Sequence, residues 1–391
     1  MHRRLNKARA WGLALPLALA LSLSACGSDD SEASTKAADL PEANSSLNGE
    51  ITIGAVLPLT GTNATIGKDQ QRGIDLAVAK INEGDGVLGK KLVVKTEDSQ
   101  GTADAAIQAA KKLTGVANVP AIIGEYSSGN TIPMEQYLQG AGIVGLNPGS
   151  SSIDVRDTGS LQFSTIGLDD VAGAFTADAL NDKGYKSIAI LAPNNAYGTG
   201  IVDSVSQSFE ELGGEVTTTG LYTEGAADYR EELGRLQDSD PDAYVVTTYG
   251  KDGTTINKEI YELGMTDKPV FDIYMSQDVP DADPQSVEGR IGMDVNSISR
   301  DGQAYADYYE ETYGENFISS FNGYTYDAVM MLAAAIDEAG AAEPEAIAEA
   351  LTKISKTYDG VTGPIVFDAD GQRSEQPYVV AEVKHGEIVP E

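Results

Sequence analysis

Two clusters of small hydroxyl-bearing residues, Tyr126-Ser127-Ser128 and Asn147-Pro148-Gly149-Ser150-Ser151-Ser152, stand close together within Ala121–Ser152. Serine hydroxyls and the backbone N–H groups of such turns are donors suited to a small anion, a carboxylate above all. Each cluster follows a short apolar run, Ala121-Ile122-Ile123 and Ile143-Val144-Gly145-Leu146. Bounded by glycines and separated by room for one short helix, the runs predict a βαβ unit with parallel strands. The C-terminal ends of parallel strands share one edge of a sheet, where ligands bind, so both loops are expected to face one space. The helix is expected to start near Asn130, with Ser128 just before its N-terminus, where free N–H groups and the helix dipole favour negative charge. A plain N-cap is the competing role for that serine.

The elements that must hold these loops extend in both directions. Glu50–Leu57 forms a strand, a loop reaches Gly67, and Ile74, Ala77, Val78 and Ile81 follow at helical spacing. Lys91–Glu97 is a strand, and Thr102–Val116 a helix with Ala106, Ala109, Ala110 and Leu113 on one face. This run calls for a right-handed, mostly parallel sheet covered on both sides. After a crossing strand at Leu161–Thr165 the alternation restarts: helices at Val171–Lys183, Gly200–Leu212, Tyr229–Gln237 and Thr254–Leu263 separate strands at Ser187–Ala192, Val216–Tyr222, Ala243–Thr247 and Val270–Tyr274. Such a restart predicts a second domain of the same architecture, an α/β pair of doubly wound parallel-sheet lobes. Helices at Gly302–Tyr313, Asn322–Ala339 and Glu345–Lys353 return to complete the first lobe, with strands Pro364–Phe367 and Tyr378–Val383 near the crossing.

A net charge of -33, from 27 basic against 60 acidic residues, opposes nucleic acid and anionic lipid as partners. Arg3, Arg4, Lys7 and Arg9 precede the apolar run Trp11–Leu23, a targeting segment too short to span a membrane as a mature helix. Leu23-Ser24-Ala25-Cys26 resembles a bacterial lipobox, in which residues 1–25 are removed as a signal peptide and Cys26 carries the lipid. The cleaved chain keeps 23 basic and 60 acidic residues, a charge of -37. Residues 26–48 are too poor in large apolar side chains to pack and read as a disordered tether.

The residues needed for catalysis are scarce. Cys26 is the sole cysteine and His385 the sole histidine beyond the targeting segment, so no metal site, disulfide or catalytic triad is expected, and no cofactor. No G-x-S-x-G or P-loop motif occurs, and Glu97 and Asp98 point to opposite faces of a strand. An enzyme is not expected.

From Gly49 to Glu391 the chain resembles the type I periplasmic binding proteins for branched-chain amino acids and related small ligands. The resemblance rests on Ile53-Gly54-Ala55-Val56-Leu57-Pro58-Leu59-Thr60-Gly61, Ile81-Asn82, Gly89-Lys90-Lys91-Leu92, Gly124 through Ser128, Asn147 through Ser151, Asn195-Ala196-Tyr197-Gly198 and Val245-Val246-Thr247-Thr248-Tyr249. It implies two lobes joined by a multi-strand hinge, with 49–168 and about 300–372 in lobe 1 and 169–297 and about 376–391 in lobe 2. It also implies a monomer that captures a small amino acid, branched-chain first among them, and delivers it to an ABC permease and ATPase complex.

By the same resemblance, Ser128 and Ser151 hold the ligand carboxylate, the Gly149 carbonyl and Ser151 hydroxyl receive its ammonium, and Tyr197 and Tyr249 close over it. Ser127 and Ser150 share these loops, and Tyr126 either lines the pocket or packs behind it. Ile66 stands where many relatives carry an aromatic residue. The acid expected to face the ammonium is Asp278, or else Asp169, whose other role would be to cap the helix near Val171. Should neither acid reach the site, an amide or urea-type ligand is favoured. A receptor that signals to a membrane sensor is the remaining alternative.

Overall fold

Strand β1 (Glu50–Leu57) places Ile53, Ala55 and Leu57 on one face and Val56 on the other. Alternating side chains apolar on both faces demand cover on both sides of the sheet. Helix α1 (Ala64–Glu83) supplies Ile74 and Ala77 on one side; α2 (Ala103–Lys112) supplies Ala106 and Ala110 on the other. The computed structural model describes residues 40–295, 302–315 and 319–391. The expected signal segment 1–25, Cys26 and the expected tether as far as residue 39 lie outside the described residues. Asn44, near the end of that tether, donates to the carbonyls of Asn82 (2.7 Å) and Gly84 (3.0 Å) and so docks on the end of α1.

Strands β2 (Lys91–Asp98), β3 (Ala121–Gly124), β4 (Val144–Asn147) and β5 (Gln162–Gly167) join β1, with α3 (Ser128–Ala141) between β3 and β4. Helix α4 (Asp169–Asp182) opens the second half. It is followed by β6 (Ser187–Pro193), α5 (Ala196–Glu211), β7 (Glu215–Tyr222), α6 (Arg230–Asp238), β8 (Ala243–Val246), α7 (Gly250–Glu262), β9 (Val270–Ile273), α8 (Pro284–Val287) and β10 (Ile291–Val295). Helices α9 (Gln303–Tyr313), α10 (Phe321–Ala339) and α11 (Pro344–Ile354) lead to the short strands β11 (Asp359–Gly360), β12 (Gly363–Pro364) and β13 (Gln372–Arg373). The hairpin β14 (Tyr378–Lys384) and β15 (Glu387–Pro390) ends the chain.

The first sheet runs β13-β5-β4-β3-β1-β2 with every pair parallel. The second runs β15-β14-β10-β9-β8-β6-β7, parallel except for β14 and β15. In each, the chain reverses its direction of winding beside the first strand, between β1 and β3 and between β6 and β8. Ligands of doubly wound sheets bind beyond the strand ends at such switch points. The β3–β4 register runs from Ala121↔Val144 to Ile123↔Leu146, so both strands stop at one level and their serine loops lie side by side.

Between the sheets, the fully buried Arg373 ties the crossing segments together. Its guanidinium donates to the carbonyls of Thr165 (2.9 Å), Thr362 (2.8 Å) and Pro364 (2.7 Å). Gln376 accepts from the Gly167 N–H and donates to the Tyr324 hydroxyl.

Several expectations need correction. Helices α3, α5 and α7 start at Ser128, Ala196 and Gly250, each earlier than apolar spacing indicates, because their first turns, Ser-Gly-Asn-Thr, Ala-Tyr-Gly-Thr and Gly-Lys-Asp-Gly, carry no aliphatic period. Helix α1 likewise begins before Gly67. Residues 162–167 are a fully buried strand of the first sheet rather than a mere crossing. Of the expected strand at 364–367 only Pro364 lies in a ladder, where with Gly363 it pairs with Asp359–Gly360, and Phe367 forms an isolated bridge to Arg373. Strands β10 and β15 escape the pattern: Gly292 and Asp294 interrupt one, and the other is a short edge.

Candidate functional site

The loop after β3 enters helix α3 through Ser127, whose carbonyl accepts from the N–H groups of Asn130 (2.9 Å) and Thr131 (2.8 Å). Ser128 is therefore the first helical residue and not a cap, and of the first-turn amides those of Ser128 and Gly129 precede the first intrahelical hydrogen bonds. Its hydroxyl accepts from the Ser150 hydroxyl (2.9 Å) and the Ser152 N–H (3.3 Å), which binds the two serine loops together. The second loop is shaped by Asn147. Its Oδ1 accepts from the N–H groups of Gly149 (3.0 Å) and Ser150 (2.7 Å), and its Nδ2 donates to the Ser150 carbonyl (2.6 Å). Gly149 passes close to Tyr126: a Cβ there would stand 2.9 Å from the Tyr126 Cα.

From the second sheet come two tyrosines. Tyr197 lies in the first turn of α5, where Asn195 caps the helix by accepting from the Gly198 N–H (2.9 Å), and its hydroxyl bonds to Thr247 Oγ1 at 2.5 Å. Tyr249 occupies the position before α7. Its hydroxyl donates to exposed Glu224 (2.9 Å) and accepts from Asn195 Nδ2 (2.5 Å).

Tyr126, Ser127, Ser128, Gly149, Ser151, Tyr197, Tyr249 and Gln277 line one cavity at the switch points of both sheets. It is tight: the centre of a water-sized sphere has about 10 Å³ in which to move, room for about one water. Tyr126 and Tyr249 touch, and Lys251 donates its N–H to the Thr62 carbonyl (3.3 Å), so the halves are closed on each other.

The other expected residues stand behind this lining. Ser150 supports Ser128 from below. Ile66 is buried in an apolar cluster that includes Tyr126, Tyr197 and Tyr249. Asp278 turns away from the cavity to accept from the Thr248 hydroxyl and from Asn257 Nδ2 (2.9 Å); burial holds its carboxyl above the usual range, opposed by the Arg290 charge. Asp169 is the first residue of α4 and makes no cap. Its N–H donates to the Ser151 carbonyl (2.7 Å), and burial pushes its carboxyl up to about 8, with Ser151 a partial offset.

Three contributors went unassigned in the sequence. Glu125, fully buried, accepts from the Ser99 hydroxyl (2.5 Å) and the Ser127 N–H (2.6 Å), and burial pushes it up to about 7. Gln277 lines the cavity, and Thr247 fixes Tyr197. The Asn-Pro-Gly turn signature was the one available clue to Asn147. Glu97 and Asp98 serve structure: Glu97 pairs with Lys112 (2.7 Å), and Asp98 accepts from the N–H groups of Leu59 and Thr60. Among the described residues no group of three or more His, Cys, Asp and Glu is placed to hold a metal ion, and no helix is long and apolar enough to cross a membrane.

Known proteins are similar to this chain over most of its length. A model of the periplasmic binding protein family matches residues 50–387. An amino acid binding protein of Pseudomonas aeruginosa is 28% identical, with 85% of this chain and 90% of the relative covered. The Leu/Ile/Val-binding protein homolog 1 of Brucella abortus is 25% identical, covering 86% and 91%. In fold the chain is similar to the branched-chain amino acid transporter substrate-binding protein LivJ of Streptococcus pneumoniae, solved with isoleucine. The TM-score is 0.77 at 24% identity, over 87% of this chain and 97% of that one.

Proposed function

The chain belongs to the periplasmic binding protein family, and from that premise we propose that it captures a small carboxylate solute, a branched-chain amino acid or close analogue, for an ABC importer. One observation supports this reading above the rest. Two serine loops, one of them at the N-terminus of α3, and two tyrosines from the opposite sheet converge on one cavity. Helix amides and hydroxyls replace the water that a buried carboxylate loses, and the tyrosines close over it as the halves meet. Ser128 and Ser151 take the carboxylate in this reading. The family works outside the cytoplasm, and lipidation of Cys26 would keep the protein at the membrane surface from which the importer is fed.

The test is thermal unfolding of protein refolded from denaturant to strip carried-over solute. Leucine, isoleucine, valine and their 2-hydroxy analogues are added in turn. Ligand at about a hundred times its Kd adds about 2.7 kcal/mol and raises the midpoint by several degrees. No shift with any of these carboxylates would remove the proposal. A gene neighbourhood holding a sensor kinase in place of a permease and ATPases would turn it towards signalling.

A further inference from the structure

Helix α7 begins without a cap of its own. Tyr249, the residue before it, gives no side-chain hydrogen bond to the first turn, because its hydroxyl is turned to Glu224 and Asn195. The first N–H groups of a helix need acceptors, and its N-terminus carries partial positive charge. For α7 one acceptor comes from the other half of the molecule. The carbonyl of Thr62, in the loop between β1 and α1, accepts from the Lys251 N–H at 3.3 Å.

Asn63, next to Thr62, serves no cap either. An asparagine before a helix ordinarily accepts from the first turn through its side-chain oxygen. Asn63 stands directly before α1 with φ -102° and ψ 19°, outside the extended region that a cap requires, and makes no such bond. Its Oδ1 is buried without a partner, on a residue 3% exposed, and buried polar atoms are nearly always paired. That oxygen faces the start of α7: a Cβ at Gly250 would stand 2.7 Å from it and 2.4 Å from the Thr62 carbonyl oxygen. Gly250 has φ +56°, which glycine adopts freely, and its lack of a side chain lets the two halves approach. Beside this contact a groove lined from both halves, by Thr62, Asn63, Asn195 and Glu224 among others, keeps them apart. The two oxygens therefore meet α7 at a point and not within broad packing.

We propose that Thr62 and Asn63 form a closing latch with Gly250 and Lys251, in which the first half supplies the cap that α7 lacks, and supplies it only when the halves meet. The capped turn follows directly on Tyr249, so the latch positions that tyrosine over the cavity. The inference rests on the closure half of the proposed function and not on which solute is taken. A cap present only in the closed form stabilises that form selectively and slows release of what it encloses.

The test is amide hydrogen exchange and small-angle X-ray scattering on the full-length protein, stripped of solute. Gly250→Asn introduces a residue that tolerates positive φ, with a Cβ that meets Thr62 only when the halves close. Exchange of the Lys251 N–H should quicken about 2- to 30-fold, the range for loss of a helix cap, and the radius of gyration should rise, while amides in the middle of α7 stay unchanged. Asn63→Ala is a second variant that adds no bulk. It should quicken the same N–H, and Asn63→Asp should slow it again by placing a full negative charge at the helix N-terminus. Unchanged Lys251 exchange and radius in both Gly250→Asn and Asn63→Ala would overturn the latch. With L-leucine as the probe, both variants should release ligand faster at a nearly unchanged association rate. Absence of leucine binding by the unaltered protein would count against the solute reading alone, because the exchange comparison decides the latch without ligand.

Discussion

The ring of Tyr126 meets that of Tyr249 edge to face, with centroids 5.8 Å apart and planes at 83°. Tyr126 belongs to the loop after β3 and Tyr249 to the loop after β8, so this pair joins the two sheets directly over the cavity. Phe321 at the start of α10 braces Tyr126 from another side at 5.2 Å. Aromatic packing thus contributes to the contact between the halves.

Tyr249→Ala removes both the closing contact and the hydroxyl that bonds to Glu224 and Asn195 beside the cavity. An edge-to-face pair is worth about 0.5–1.5 kcal/mol and a hydrogen bond a similar amount, so Kd should rise about 10- to 100-fold. Circular dichroism should stay that of a folded protein. Unchanged affinity by calorimetry would remove Tyr249 from the site.

Ser128→Ala deletes the acceptor shared by Ser150 and Ser152 and a donor to the ligand. Affinity should fall by about 1–3 kcal/mol, with a smaller loss of unliganded stability. A denaturant midpoint lowered with no change in Kd would assign Ser128 a structural role alone.

Gly149→Ala sets a methyl group 2.9 Å from the Tyr126 Cα and 3.2 Å from its carbonyl oxygen, both backbone atoms that yield little. The serine loop must shift away from Tyr126, at a cost of about 1–3 kcal/mol, and ligand binding should weaken in parallel. Wild-type affinity and melting temperature in this variant would show that the loop has slack.

Glu125 links stability to pH. Burial raises its carboxyl in the folded protein to about 7 from 4.5, against hydrogen bonds from Ser99, Ser127 and Asn130. Between about pH 4.5 and 7 the unfolded chain releases a proton that the folded protein keeps, so stability falls as pH rises through that window and levels off above it. The contribution is at most about 3 kcal/mol. Glu125→Gln should flatten the pH dependence of urea unfolding between pH 5 and 8 by a share of that amount. An unchanged slope would mean that Glu125 ionises near its ordinary value.

Arg373→Met empties the junction between the sheets of its guanidinium and leaves the carbonyls of Thr165, Thr362 and Pro364 without their donor. A loss of about 3 kcal/mol or more is expected in denaturant titration. A loss below about 1 kcal/mol would show that water replaces the guanidinium there.

Much of this protein was legible from one chain. Apolar runs such as Glu50–Leu57 and Ala121–Ile123 marked strands because a strand buried on both faces needs apolar residues throughout, and their alternation with helical spacing required parallel sheets. The serine loops followed, since parallel strands end at one edge. What tertiary structure alone decided was which groups of those loops face the cavity. Asp278 and Gln277 are neighbours, yet Asp278 turns to Thr248 and Asn257 while Gln277 reaches the lining. That choice depends on a backbone turn after β9, where Tyr274 adopts φ 60°, and on α7 packed behind it. Glu125 was likewise unreadable: an acid beside a tyrosine and two serines looks exposed until the packing around β3 buries it. Sequence periodicity fixes which face of a strand is apolar, but a loop has no period, and its side chains take whatever direction the surrounding contacts leave.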